Sequence, residues 1–309
     1  MAIPFTFRQL SYFVTVARHG NISKAAEALY VSQPSVSIAI HQLESLLGQP
    51  LFQRHRGQGV SLTSKGEILL KEAQLILTTS TNLLASIQED EHQVEGQLAI
   101  ACFRDIAPYY LPRLINEFGR HYPRIKLLML EQDLAGVSEA LTQGRAELAL
   151  SYDLGLEQDI DSRVLDELKP YVLVPAGHRL AVEEKVALAE ISDEPLIFQD
   201  LPLTREYFMS LFWHQDIKPN ITYTTASFEM QRGLVAHGHG LALSCTRPVG
   251  DRSYDGYPIV CLPLVDDFPP QRVVLARSRR FTASVPARLF MDFVGRTFTK
   301  VPERLSSRR

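Results

Sequence analysis

Residues 6–48 contain three short helical patterns in direct succession, each with its own start and stop signals. Polar residues that can cap a helix precede the three patterns: Thr6 in a Thr6-x-x-Gln9 capping box, Asn21 or Ser23, and Ser32. Glycines end the first and the third pattern: Gly20 and Gly48. Two helices joined by a short turn, with a polar outer face on the second, are typical of a helix-turn-helix.

The outer face of the third pattern carries side chains suited to contact with DNA. They are Ser32, Gln33, Pro34, Ser35, Ser37 and Ile38, followed by His41 and Gln42. Glutamine can bond adenine through two hydrogen bonds, serine can bond a base or a phosphate, and helix N-terminal amides favour phosphate. A solvated helix face that binds nothing has the same polar composition. This helix alone leaves both interpretations open.

Residues 53–62 predict a basic hairpin directly after the helices. Leu51 and Phe52 anchor it, and a glycine-containing turn separates two strand-like segments. From such a wing, Arg54 and Arg56 can reach phosphates or a narrow minor groove. The wing therefore favours DNA binding over an ordinary solvated helix face.

The motifs up to residue 67 together resemble those of the LysR-type transcriptional regulators. The matching strings are residues 21–26, residues 31–37, Leu43-Glu44, Leu47-Gly48, Leu51-Phe52-x-Arg54 and Leu62-Thr63-x-x-Gly66-Glu67. The resemblance implies that Gln33, Pro34 and Ser37 face the major groove. It also implies that Arg54 and Arg56 serve the wing.

One position departs from the family pattern. Ile38 stands where these regulators usually carry a basic residue, and His41 and Gln42 follow in place of arginine. We expect fewer phosphate contacts and a shallower salt dependence, because each neutralised phosphate contributes about 0.9 to the log–log slope. Ile38 either touches a thymine methyl group or packs against protein.

The charge of the chain is unevenly distributed. Residues 1–60 carry five basic and two acidic side chains, a net charge of +3, whereas the whole chain carries −3, so the remainder carries −6. A basic unit on an acidic body fits a nucleic-acid-binding module joined to a sensing domain. No apolar run approaches the roughly 18 residues of a membrane span, and no secretory signal pattern is present. Three cysteines without a C-x-x-C pair fit a reducing cytoplasm.

A long helical pattern runs from a Ser64-x-x-Glu67 capping box to about Glu89. A mainly apolar stripe recurs along it at spacings of four and three: Leu69, Ala73, Ile76, Ser80, Leu83 and Ile87. Such a stripe fits either a helix packed on its own domain or the seam of a dimer. The family resemblance implies a linker helix that pairs two subunits. We therefore expect a DNA-binding domain at 1–63, a dimerising linker at 64–90 and a charged hinge at 91–96.

Residues 97–303 alternate between strand and helix patterns, which predicts a mainly parallel sheet covered by helices on both faces. Several strings in it match the family: Leu111-Pro112, Tyr122-Pro123, Leu141-x-x-Gly144 and Glu147-Leu148-Ala149-Leu150. The resemblance implies an effector domain of two lobes, akin to periplasmic solute-binding proteins. Lobe I is expected at about 97–165 and 268–303, and lobe II at about 166–267.

The predicted fold class is thus an N-terminal all-α winged helix-turn-helix with a long linker helix, followed by an α/β two-lobed, periplasmic-binding-protein-like effector domain. Residues 304–309 are expected to form a disordered tail.

Six residues are candidates for effector binding because a predicted strand ends, or a helix begins, near each of them: Arg104, Asp105, Tyr152, Gln199, Arg205 and Ser227. Convergent helix N-termini favour an anion, and an arginine would add a bidentate partner, so a carboxylate is the expected effector class. In the structural alternative, Asp105 caps its own helix and Arg104 pairs with it.

The predicted function is a sequence-specific transcriptional regulator controlled by a small molecule bound between the two lobes. Its expected partners are double-stranded promoter DNA, the effector, RNA polymerase and further copies of the chain, in a homodimer that assembles to a homotetramer as in the family. No cofactor, metal site, membrane contact or catalytic residue is predicted, since the usual catalytic and nucleotide-binding motifs are missing. The alternative is a cytoplasmic solute-type binding protein without regulatory DNA binding.

Overall fold

The computed structural model describes residues 4–55, 59–86 and 94–298. The N-terminal unit consists of three helices, a two-stranded antiparallel wing and a long helix: α1 (Phe7–His19), α2 (Ile22–Ala28), α3 (Gln33–Leu47), β1 (Phe52–His55), β2 (Gly59–Leu62) and α4 (Ser64–Ser86). This arrangement confirms the predicted winged helix-turn-helix and its linker helix.

Hydrogen bonds at the helix ends explain where the first helices begin. The amide of Gln9 donates to Thr6 Oγ1 at 3.2 Å, and the amide of Thr6 donates to Gln9 Oε1 at 2.8 Å, which completes the predicted capping box. Asn21 accepts from two amides at the start of α2, and Ser32 accepts from the amide of Ser35 at the start of α3.

The start of α4 differs from the sequence prediction by one residue. Thr63, not Ser64, is the cap residue: its Oγ1 accepts from the amide of Gly66 at 3.0 Å and donates to the carbonyl of Pro50 at 2.8 Å. Serine and threonine are equally natural caps, so the contact with Pro50 decides between them. The threonine hydroxyl thereby ties the long helix to the segment before the wing.

One hydrophobic core holds the N-terminal unit together. Its fully buried members come from α1, α3, the segment before the wing, and α4: Leu10, Phe13, Val16, Val36, Leu43, Leu51 and Ala73. Phe13 packs against Phe52 of the wing, with 5.3 Å between ring centroids. Glu44 Oε1 accepts from the amides of Leu51 at 2.8 Å and Phe52 at 3.3 Å. The positions of α3 and the wing are therefore fixed relative to each other.

Phe13→Ala is expected to lower the free energy of unfolding by about 3–5 kcal/mol, because it deletes a buried aromatic ring and leaves a cavity. Phe7→Ala is the matched control, since Phe7 lies on the same helix but is 58% exposed, and a change of about 0.5 kcal/mol or less is expected. Chemical denaturation followed by circular dichroism measures both variants. Equal losses would contradict the packing described above.

The apolar residues of α4 divide between two faces. Ala73 is fully buried and Leu69 half-buried, both against the helices of the chain's own N-terminal unit. The core of the same chain therefore already contains Ala73 and partly covers Leu69, two residues of the predicted seam. Ile68, Ile76 and Leu83 are 58%, 37% and 63% exposed, and at about 100° of rotation per residue all three lie within an arc of about 80° on the solvent side of the helix. Ile87 lies outside the described residues.

The second unit has two lobes. Lobe I consists of β3 (Gly96–Phe103), α5 (Ala107–His121), β4 (Ile125–Gln132), α6 (Leu134–Thr142), β5 (Leu148–Tyr152), β6 (Ile160–Leu168), β12 (Gln271–Ser278) and α9 (Val285–Phe298). Lobe II consists of β7 (Tyr171–Pro175), β8 (Leu196–Gln199), α7 (Thr204–Trp213), β9 (Ile221–Thr225), α8 (Phe228–Ala236), β10 (Ala242–Ser244) and β11 (Ile259–Pro263).

The sheets are mixed, which corrects the prediction of a mainly parallel sheet. The order in lobe I is β4-β3-β5-β12-β6, where β3 is parallel to β4 and β5, whereas β12 is antiparallel to β5 and β6. In lobe II, β7 is antiparallel to both β10 and β11, and β8 is parallel to β9. The chain leaves lobe I after β6 and returns as β12. Whether β12 runs parallel or antiparallel to its neighbours is not encoded in the sequence of any one strand.

The two units touch through α4. Gln74 Nε2 donates to the carbonyl of Gly144, just after α6 of lobe I, at 3.1 Å. Among the helices of the described residues, none combines the length and the apolar content needed to span a bilayer.

Candidate DNA-binding surface and effector cleft

The outer face of α3 is open to solvent. Gln33, Pro34 and Ser35 are exposed, and Ser37 is half-buried, while the opposite side of the helix packs into the core. Ile38 is 57% exposed, so it does not pack against the protein within the part of the chain that is described. Of the two roles left open for Ile38, only the one that faces outward is compatible with the structure.

Two of the predicted contact residues also have local structural roles. Ser32 Oγ and Ser35 Oγ share a hydrogen bond of 2.8 Å, and Ser32 Oγ accepts from the amide of Ser35 at 3.4 Å. Their hydroxyl groups therefore help to start α3. Gln33 and Ser37 are the hydrogen-bonding candidates on this face whose main role is not capping.

The wing presents Arg54 to solvent. Phe52 is the buried residue of β1, and Gln53, Arg54 and His55 after it are exposed. The wing is held against the first helices, because the amide of Val60 donates to the carbonyl of Gly20 at 2.8 Å. Gly59 next to it has φ +96°, and a Cβ there would meet the Gly20 carbonyl oxygen at 2.2 Å. Arg56 lies outside the described residues.

A cleft lies between the two lobes of the second unit. Lobe I and lobe II both contribute to its lining, which includes Phe103, Asp105, Tyr152, Gln199, Thr204 and Gln271. The space inside it is about 20 Å³, room for about one water molecule. In this conformation the lobes are therefore closed, and a larger molecule requires them to separate.

Side-chain hydrogen bonds cross the cleft from lobe I to lobe II. Gln199 Nε2 donates to Asp105 Oδ2 at 2.5 Å, and the Tyr152 hydroxyl and Thr246 Oγ1 are 2.7 Å apart. Sequence analysis predicted Asp105, Tyr152 and Gln199 as effector residues, and the structure brings all three to this cleft. These bonds hold the lobes in their closed arrangement.

The carboxyl group of Asp105 titrates near neutral pH. Burial raises its pKa to about 6, and the hydrogen bond from Gln199 and the nearby charge of Arg104 oppose the rise. Burial raises the pKa of the nearby Tyr109 and Tyr152 hydroxyls, and the charge of Asp105 adds a smaller part of the rise.

The other three predicted effector residues do not line the cleft. Arg104 is exposed, Arg205 pairs with Asp200 at 2.8 Å, and Ser227 caps α8 through the amide of Met230 at 3.3 Å. Sequence analysis missed Thr204 and Gln271. The signal available for Gln271 was its place at the start of β12, just before the apolar run 273–276.

The fold and these two surfaces define a two-domain protein that binds DNA through one unit and a small molecule through the other. Residues 7–67 match the model of the bacterial regulatory helix-turn-helix proteins of the lysR family, and residues 91–299 match that of the LysR substrate binding domain. The chain belongs to the LysR family of transcriptional regulators.

Several known proteins are similar along much of their length. The HTH-type transcriptional regulator YybE of Bacillus subtilis is 31% identical over 77% of this chain and 81% of its own. The crystal structure of HinK, a LysR family transcriptional regulator from Pseudomonas aeruginosa, is 34% identical, with a TM-score of 0.64 over 96% of this chain and 100% of that one. Full-length OxyR from Pseudomonas aeruginosa, at 23% identity and a TM-score of 0.78, covers 96% of this chain and 99% of its own and shows the likeness in fold.

Proposed function

We propose that this regulator contacts the bases of its operator with Gln33, Ser37 and Ile38 and binds the phosphate backbone with Arg54. The observation that carries the proposal is the outward face of α3, which the core holds from behind and the wing flanks. A helix presented in this way fits the major groove. Gln33 is placed to bond adenine, and the exposed aliphatic side chain of Ile38 suits a thymine methyl group. The contact surface proposed from the sequence also includes Ser32, Pro34, Ser35 and Arg56.

The protein acts as a homodimer that assembles to a homotetramer and binds a promoter site with two-fold symmetry. The exposed side of α4, with Ile68 and Ile76, supports this step, because isolated large apolar side chains along one helix face favour a helix partner. Leu83 and Ile87 extend the stripe proposed for the seam. A symmetric operator calls for a two-fold protein.

A small molecule bound between the lobes controls DNA binding. The closed cleft supports this, since a ligand there must part the Asp105–Gln199 and Tyr152–Thr246 bonds and so favours a different arrangement of the lobes. Gln74 of α4 bonds Gly144 of lobe I, so a change in the arrangement of the lobes can be transmitted to the DNA-binding units. The change then alters access of RNA polymerase. The protein works in the cytoplasm on chromosomal DNA and not as an enzyme.

Arg54→Ala is expected to weaken operator binding and to lower the log–log salt slope by about 0.9 per subunit, because one phosphate contact per wing is lost. Footprinting and fluorescence titration against genomic fragments at several salt concentrations measure both effects. Arg205→Ala is the control, since Arg205 is exposed and lies in lobe II, away from the wing. An unchanged slope for Arg54→Ala, or binding by the native protein no tighter than to random DNA, would overturn the proposal.

A further inference from the structure

The lining of the cleft contains one carboxylate and several hydroxyl and amide groups that can accept hydrogen bonds. The Asp105 carboxylate, the Gln271 amide oxygen and the hydroxyls of Thr204 and Thr246 all belong to it. Within the described part of the chain, no lysine, arginine or histidine lines the cleft. The sequence predicted a carboxylate effector from convergent helix N-termini, with Arg104 or Arg205 as an added bidentate partner, and neither arginine is among the lining residues.

Two of these acceptors are buried without a partner. Thr204 Oγ1 and Gln271 Oε1 have no hydrogen bond within the described residues, although the side chain of Gln271 also bonds the hydroxyl of Tyr207, and 6% of each of the two residues is exposed. A buried polar atom without a partner is unfavourable and is usually satisfied by water or by a ligand. At a ligand cleft, Gln271 Oε1 can only accept from a donor group of the ligand, whereas Thr204 Oγ1 can accept or donate.

The helix N-termini at the cleft offer few amides to an anion. At α5, Pro108 has no N–H and the amide of Tyr109 is already bonded to the carbonyl of Ile106. At α6, Asp133 accepts from the amide of Gly136 at 2.7 Å. The first turn of α7 contains Glu206. Groups of the chain itself therefore already bond these amides or offset the partial positive charge of the helix N-termini.

We propose that the effector of this regulator is a small cationic amine whose ammonium group binds Asp105. This inference rests on the proposed function, because it takes the cleft to be the effector site. The ammonium group donates to the Asp105 carboxylate in place of Gln199, and further donors on the ligand bond Gln271 Oε1 and Thr204 Oγ1. Charge-assisted hydrogen bonds of this kind are about twice as strong as neutral ones. Because the ligand replaces the hydrogen bond that Gln199 of lobe II makes with Asp105 of lobe I, ligand binding favours separation of the lobes.

The affinity for an amine depends on the ionisation of Asp105. The charged and titratable groups that face this carboxyl are Arg104 on its own loop, Tyr109 on α5 and Tyr152 on β5, and Gln199 faces it from β8. With a pKa of about 6, the group is ionised at pH 7 and protonated at pH 5. Affinity is therefore greatest above pH 6 and falls as the pH drops through 6.

The test uses the full-length protein and three pairs of probes matched in shape: propylammonium and propionate, 1,4-diammoniobutane and succinate, and benzylammonium and benzoate. Calorimetry and thermal shift measure binding at millimolar concentrations. At least one amine is expected to bind more tightly than its carboxylate partner, with affinity about tenfold lower at pH 5 than at pH 7. Asp105→Asn is expected to weaken amine binding by about tenfold, because the amide keeps the shape but loses the charge.

Asp200→Asn is the matched control, since Asp200 follows Gln199 but is half-exposed and paired with Arg205 outside the cleft. It is expected to leave amine binding unchanged. Tighter binding of the carboxylates, no response to any of the amines, or equal amine affinity in native protein and Asp105→Asn would each overturn the inference. Footprinting with the same protein separates the two levels: intact operator binding with carboxylate binding overturns only the amine, whereas absence of specific DNA binding overturns the proposed function.

Discussion

Replacing both Ile68 and Ile76 with glutamate is expected to convert the protein to monomers and to lower its operator affinity by about 100-fold or more. Both side chains lie on the exposed side of α4. Glutamates there bring like charges together across a two-fold seam and remove its apolar contacts. A monomer then binds one half-site and loses the gain from two linked contacts.

Light scattering and footprinting measure the two consequences, oligomeric state and operator affinity. Lys71→Glu is the control, because it introduces a glutamate at an exposed position of the same helix without removing an apolar side chain. The fold should survive in the double variant, since neither isoleucine belongs to the N-terminal core. A dimer of unchanged mass with native affinity would place the subunit contact elsewhere.

Gln33→Ala is expected to lower the preference for operator over random DNA by about 1–3 kcal/mol per half-site, or about 5- to 150-fold. The exposed amide at the start of α3 is placed to read an adenine edge, whereas binding to random DNA depends on the backbone contacts that the substitution leaves in place. Competition titrations with operator and scrambled duplexes measure the ratio. Gln49→Ala, which removes an exposed glutamine just after α3, should leave the ratio unchanged.

If Gln33→Ala weakened binding to both duplexes equally, Gln33 would contact the DNA phosphate backbone and not the bases. The assignment of base contact to α3 would then rest on Ser37 and Ile38 alone.

The sequence alone determined the N-terminal unit because its signals act over a few residues. Thr6 with Gln9, Asn21 and Ser32 set the starts of three helices by bonding amides two or three positions away, and the structure shows these bonds. A cap and its amide are neighbours in the chain, so no tertiary contact is needed to specify them. The same holds for the wing, whose two paired strands, β1 and β2, are separated by only three residues in the chain.

Tertiary structure alone decided which face of α4 is free and which residues line the cleft. Apolar residues surround much of α4, so a spacing of four and three selects Leu69 and Ala73 as readily as Ile68 and Ile76 until the core occupies one side. At the cleft, Arg104 and Asp105 are adjacent, as are Thr204 and Arg205, yet only one of each pair lines it. Neighbouring residues at a strand end or helix start point in different directions, and the partner lobe decides which direction is inward. Local sequence therefore specified the elements, whereas contacts between residues far apart in the chain specified the ligand surface.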